Sequence, residues 1–266
     1  MEREPQGGSD YGLDLQRDLG DEPPGAIRDA APDYFAPIDA ASPVSGHVPG
    51  PDHQVSASET PEHDWNAASR VLFPQLRPVG TAGVRAEDFD PESVLSAPHG
   101  QTLPLLDAGP CGIPVAYAIS AGGFDVIVNP EHLLSWGVRP GDVHDAAHRN
   151  LAEWSATAPW TDEVSGDSRL MSSDSGDGWD AARILLAETR EHLTRELAST
   201  GRVLVGLPER HLLIAGTLRP DDQEFAALFA DFVLEHSGGA DEPVDRRVFE
   251  LVDGQLVEFG GVAAQA

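Results

Sequence analysis

Residues 172–218 read SSDSGDGWDAARILLAETREHLTRELASTGRVLVGLPERHLLIAGTL: a polar turn, an amphipathic stretch and two apolar runs in direct succession. Ala181, Ile184, Leu185, Ala187, Leu193 and Leu197 fall at three-and-four spacing, which predicts one helix of about five turns, capped by Asp177 or Asp180. Gly201 supplies its stop. VLVGL and LLIAGTL, divided by Pro208-Glu209-Arg210-His211, predict two strands joined by a tight reversal. A helix laid over a hairpin makes the fold α+β, with antiparallel sheets or hairpins packed against amphipathic helices.

The flanks extend that pattern. Upstream, TLPLLDA, IPVAYAIS and FDVIV are three short apolar runs, with Gly122-Gly123 as a turn between the last two, and together they predict a small antiparallel sheet. Residues 131–137 (EHLLSWG) read as a short helix ended by Gly137, and 140–154 as a second with Val143, Ala147, Leu151 and Trp154 on one side. A short helix is expected around Pro91 to Leu95, and a polar loop from Ser155 to Arg169. Downstream, Pro220 and Asp221 open a one-sided helix carrying Phe225, Leu228, Phe229, Phe232 and Val233, and VFELV and LVEF flank a turn at Asp253-Gly254. Near Trp65, WNAASRVLFPQLRPV reads as a helical group stopped by Pro74 and Pro78.

Charge bounds the partners. With 45 acidic and 17 basic residues the formal charge is -28, which repels nucleic-acid phosphates and anionic membrane surfaces, so neither is expected as a partner. Every one of the 17 basic residues is arginine, which removes Schiff-base chemistry, pyridoxal phosphate attachment and the phosphate-loop lysine. The single cysteine, Cys111, allows no intramolecular disulfide and no four-thiolate zinc site. The opening MEREPQGGSDYGLDL is acidic where an export signal is basic and then apolar, and no run approaches a membrane span, so a cytoplasmic protein is expected.

Residues 1–64 hold nine prolines, 14 acids and three arginines with few large apolar groups, too little burial to offset the entropy of ordering. A disordered acidic arm is expected there, and a folded domain over 65–266, whose halves 65–160 and 161–266 each carry strands and helices enough for a lobe. Two apolar clusters interrupt the arm. Tyr11 and Leu15 in the first, and Tyr34 and Phe35 in the second, are candidates for docking on a protein partner.

Four stretches carry a resemblance: FPQLRP at 73–78, AHRNL at 147–151, DGWDAARILL at 177–186 and VGLPERHLLIAG at 205–216. In order and spacing the chain from about Phe73 resembles the YtpQ-like family of uncharacterised bacterial proteins. That resemblance implies a fold order over roughly 190 residues and leaves function open. Where the family pattern implies an aspartate after the last arginine, this chain has His211.

Candidate chemistry is sparse. His144 and His148 lie four apart, so on a helix both imidazoles leave one face, the spacing of many zinc-binding helices, but Asp145 stands where that pattern has glutamate and no third ligand is apparent. Asp174, Asp177 and Asp180 fail the calcium-loop spacing, since Gly176, Gly178 and Leu185 fall at ligand positions. Glu209, Arg210 and His211 sit at the predicted reversal, where an arginine can grip a ligand oxygen pair. No nucleophile motif surrounds Cys111 or any serine, and no glycine fingerprint calls for a dinucleotide, so no cofactor is expected. The expectation is a non-enzymatic protein-interaction module with an acidic arm. Its competitor is an enzyme or small-ligand binder using Arg210, His211, His144 and His148 from one cleft.

Overall fold

The computed structural model of the chain describes residues 61–96, 103–120, 124–165, 168–199 and 201–260, all within one compact unit spanning residues 53–266. The chain is α+β. Among the described residues no helix is long and apolar enough to cross a membrane.

The first sheet is assembled from the amino-terminal half. Its strands are β1 (Leu72–Leu76), β2 (Val84–Arg85), β3 (Leu105–Ala108), β4 (Pro114–Ser120) and β5 (Asp125–Ile127). The order is β1-β4-β3-β2 with β5 also on β4, and every pair is antiparallel except β2 with β3. The three runs at 102–128 therefore pair as expected, while the glycine turn proposed between the last two lies outside the described residues.

The expected helix near Trp65 is only one turn, α1 (Trp65–Ala68), and the following apolar residues are strand β1. Both faces of β1 are covered: Leu72 and Leu76 enter the main core, whereas Phe73 packs with Trp179 and Leu151 in another cluster. A strand buried on both faces loses its alternation and reads as a run. Pro74 is tolerated because, among the described residues, β1 is an edge strand paired with β4 alone.

Helices α2 (Pro91–Ser96), α3 (Pro130–Trp136) and α4 (Pro140–Ser155) fall where the sequence places them, and α3 is closed by Gly137 at φ 68°. Asn150 on α4 donates to the carbonyls of Ser69 and Leu72, at 2.9 and 2.8 Å, and so fixes the entry to β1.

The second sheet is wholly antiparallel. It contains β6 (Thr161–Ser165), β7 (Ser168–Ser173), β8 (Arg202–Glu209), β9 (Leu212–Leu218), β10 (Val248–Val252) and β11 (Gln255–Glu258), in the order β11-β10-β8-β9-β7-β6. The reversals at Arg210-His211 and Asp253-Gly254 are both hairpin turns, the latter with both residues at positive φ (51° and 74°). The expected loop over 155–169 is instead the end of α4 and the edge hairpin β6–β7. An edge strand exposed on its flank needs no apolar alternation, and its pairing is reinforced by Arg169, which grips Asp162 at 2.7 Å and Glu196 at 3.1 Å.

Helices α5 (Ala187–Leu197) and α6 (Gln223–Gly239) cover opposite faces of this sheet. Val203, Val205 and Leu207 face the main core with Leu193 and Leu197 of α5, whereas Leu204, Ile214 and Leu218 pack on Ala226, Phe229 and Val233 of α6. The main core also takes Leu105, Val115 and Tyr117 from the first sheet, so one apolar interior serves both sheets. α6 begins later than expected, because Asp221 adopts φ 65° and Asp222 is the cap, accepting from Phe225 N–H at 3.1 Å.

The single five-turn helix does not form. A 3₁₀ turn covers Ala181–Leu185, Leu186 is extended (φ -80°, ψ 132°), and only then does α5 start. Ala181 and Ile184 pack into the main core while Ala182 and Leu186 pack into another, a division that one helical stripe cannot serve. Arg190 completes the break by donating to the carbonyls of Ile184 and Leu185 at 2.7 and 2.9 Å, partners that a continuous helix would satisfy with backbone.

Asp180 stands at the N-cap of the 3₁₀ turn, but neither predicted side chain makes a capping hydrogen bond. The Asp180 carboxylate accepts from Ser173 Oγ and from the backbone and hydroxyl of Ser175, and the Asp177 carboxylate accepts from Trp154 Nε1.

Candidate functional site

The reversal between β8 and β9 is held on both sides of its backbone. Arg210 N–H donates to the Glu242 carbonyl at 3.2 Å, and the Arg210 carbonyl accepts from Ala181 N–H at 3.1 Å. Its side chain is clamped too: Nη1 donates to Glu242 Oε1 at 2.9 Å and Nη2 to Asp125 Oδ2 at 2.8 Å. The guanidinium carbon lies 5.5 Å from the centre of the Trp179 ring, which stacks on Phe73 with centroids 4.6 Å apart and planes at 12°.

Gly178 makes this approach possible. A Cβ there would fall 2.7 Å from Arg210 Nε, and its φ of 84° already favours glycine.

Above this clamp opens a cleft of about 630 Å³, whose lining includes Gln75, Arg77, Phe124, Asp125, Asp177 and Arg210. Gln75 is 2% exposed. Its Nε2 donates to Asp125 Oδ2 at 2.9 Å, and its Oε1 is buried without a partner among the described residues. An orphaned buried acceptor costs about 1–3 kcal/mol.

Of the residues singled out at the reversal, Arg210 and His211 line this cleft, and His211 Nε2 lies 3.7 Å from Glu242 Oε2. Glu209 turns to a neighbouring cavity of about 540 Å³ with Glu235, His236 and Asp241. The two cavities share His211 and Glu242 as their common wall.

His144 and His148 are elsewhere. Their rings stack with centroids 3.9 Å apart on α4, and His148 Nδ1 donates to the His144 carbonyl at 3.0 Å. His144 Nδ1 lies 3.0 Å from Tyr117 Oη and 3.2 Å from Asp107 Oδ2, and the Tyr117 hydroxyl donates to the same carboxylate. Burial and that bond push the Tyr117 phenol well above its ordinary range, while burial and the adjacent His144 pull the His148 imidazole below its own. His144 lines a third cavity of about 350 Å³ with Arg85, Glu87 and Asp107. Among the described residues no group of three or more His, Cys, Asp or Glu side chains is placed to hold a metal. Tyr11, Leu15, Tyr34 and Phe35 lie outside the described residues.

A buried polar knot supports the cleft from behind. Arg183, 2% exposed, donates to Ser155 Oγ, Ser173 Oγ and the carbonyls of Ser155 and Pro159, and lies 4.0 Å over the Trp160 ring. Burial lowers its guanidinium pKa to about 10. Ser173 Oγ links it to Asp180, which holds the loop containing Gly176, Asp177 and Gly178 in place through Ser175.

Sequence reasoning found Arg210 and missed Gln75, Asp125, Trp179 and Glu242. Gln75 and Trp179 stand inside two stretches that carry the resemblance, FPQLRP and DGWDAARILL, and these meet the third, VGLPERHLLIAG, at the cleft. Asp125 and Glu242 carry no local signal, because each is an ordinary acid in an acid-rich chain. No family model, curated protein or solved structure matches the chain.

Proposed function

We propose that this protein is a non-enzymatic interaction module, that the cleft over Arg210 is its recognition site, and that the acidic arm adds a second contact through Tyr11, Leu15, Tyr34 and Phe35. The carrying observation is the clamp. Segments distant in sequence (Gln75, Asp125, Gly178-Trp179 and Glu242) converge on one arginine and hold it under an open polar cleft whose floor keeps an unpaired acceptor. A structural ion pair alone needs no such opening. The net charge of -28 supports a protein partner over a nucleic acid.

The competing reading, an enzyme or small-ligand binder, rests on Arg210, His211, His144 and His148 sharing one cleft. The first two line the Arg210 cleft, whereas His144 faces a separate cavity beside Asp107. Membership of the YtpQ-like family is likewise a proposal, resting on the four stretches quoted above.

Photo-crosslinking tests the interaction reading. A benzophenone amino acid in place of Phe124, which is 63% exposed at the cleft rim, should capture a protein partner in the protein's own host. The same group at Leu228, exposed on α6, serves as the control. Equal capture from both positions, or none from Phe124, contradicts the cleft as the recognition site.

A further inference from the structure

We propose that the cleft over Arg210 takes an arginine side chain from a peptide segment of a partner protein. This rests on the reading of the cleft as a recognition site and adds the chemistry of what enters it.

The inference follows from which hydrogen-bonding groups of the cleft are already used. Both terminal nitrogens of Arg210 donate internally, to Glu242 and Asp125. Its Nε is buried without a partner among the described residues, packed against Gly178, and apart from it and Arg77 the charged and amide groups left over are acceptors. Gln75 Oε1 is buried and unpaired, Asp125 uses only Oδ2 for its two bonds, and Asp177 uses only Oδ2, toward Trp154 Nε1. Among the described residues, His211 Nε2 is the group paired with Glu242 Oε2, at 3.7 Å, beyond hydrogen-bond length.

A site with several unfilled acceptors, and with three carboxylates against two arginines among its lining residues, calls for a positively charged donor. Guanidinium fits best, since it offers five planar N–H groups and keeps its charge where an ammonium would be more strongly hydrated. Phe124 at the rim, 63% exposed, adds aromatic surface suited to a planar cation.

One lining cation, Arg77, has no ion pair among the described residues. It suits a main-chain carbonyl of the same segment, which is why a peptide fits better than a free amine.

The chain's own arm is a poor occupant. It holds 14 acids against three arginines, and Arg3, Arg17 and Arg28 each have an acid as a sequence neighbour, so it brings repulsion to a carboxylate-lined cleft. The occupant is therefore another molecule.

The test is an NMR titration of the full-length chain with three probes: acetyl-arginine amide, acetyl-citrulline amide and acetyl-glutamate amide. Citrulline keeps the shape of arginine and removes its charge. The arginine probe should move the Gln75 side-chain amide and Trp179 indole resonances saturably, at least tenfold more tightly than citrulline. Asp177→Asn should weaken it several-fold, as should raising the salt.

Equal binding of citrulline, a response to the glutamate probe alone, or no response up to about 50 mM overturns the inference. Failure here is separable from failure of the cleft as a recognition site: a crosslink from Phe124 to a partner with no arginine at the captured position sinks only the arginine.

Discussion

Arg183 shows how much one buried side chain governs. Its guanidinium is inside the protein with no carboxylate in direct contact among the described residues, satisfied by serine hydroxyls and by carbonyls in and just after the end of α4, and burial pulls its pKa to about 10. Removing it leaves Ser173, Ser155 and two or more carbonyls short of donors. Arg183→Ala should therefore lower stability by about 3 kcal/mol or more, measured by urea unfolding. Arg183→Lys should recover little, because three donors on a point charge cannot replace the planar fork. A loss under about 1 kcal/mol would show that the knot is not structural.

His148 gives a pH signature. Burial and the neighbouring His144 hold its folded-state pKa below the unfolded value, so between the two the unfolded chain binds a proton that the folded chain refuses. Stability should fall as pH drops below about 6.5, and His132 and His192, shifted the same way by burial, add to the slope. His148→Gln should flatten part of that fall in thermal melts between about pH 7 and 5. An unchanged slope would mean that His148 titrates alike in both states.

At the scale of elements, the loop before the 3₁₀ turn decides whether the cleft exists. Gly178 lets Arg210 lie against the loop, so Gly178→Ala should push the guanidinium away from Asp125 and cost about 1–3 kcal/mol. The same change should reduce capture from Phe124, and a stable variant with full capture would separate the clamp from recognition.

This is also where the sequence stopped being readable. The hairpin at Arg210, the helices α3 and α4 and the turn at Asp253-Gly254 were legible because local spacing and turn residues carry them. The break at Leu186 was not, since it comes from two cores pulling on one segment and from Arg190 capturing carbonyls. β1 hid for a related reason: burial on both faces erased its alternation and Pro74 mimicked a helix stop. The candidate site was half legible, Arg210 by its place in a reversal, its partners Asp125 and Glu242 only by long-range folding.

For the whole molecule the acid excess dominates. A formal charge of -28 means that folding concentrates like charges, and screening relieves the resulting repulsion. Melting temperature should rise with potassium chloride by several degrees toward 1 M. A flat response would show that self-repulsion among the acids does not limit stability. The same field draws cationic partners and repels anionic ones, in line with the cleft's unfilled acceptors.

The most direct test of the central claim is native mass spectrometry of the full-length protein purified from its own host, wild type beside Arg210→Gln. A protein partner retained by the wild type and lost from a folded Arg210→Gln variant is the predicted result. A partner held equally by both, or a small molecule held by both with no protein bound, would contradict it.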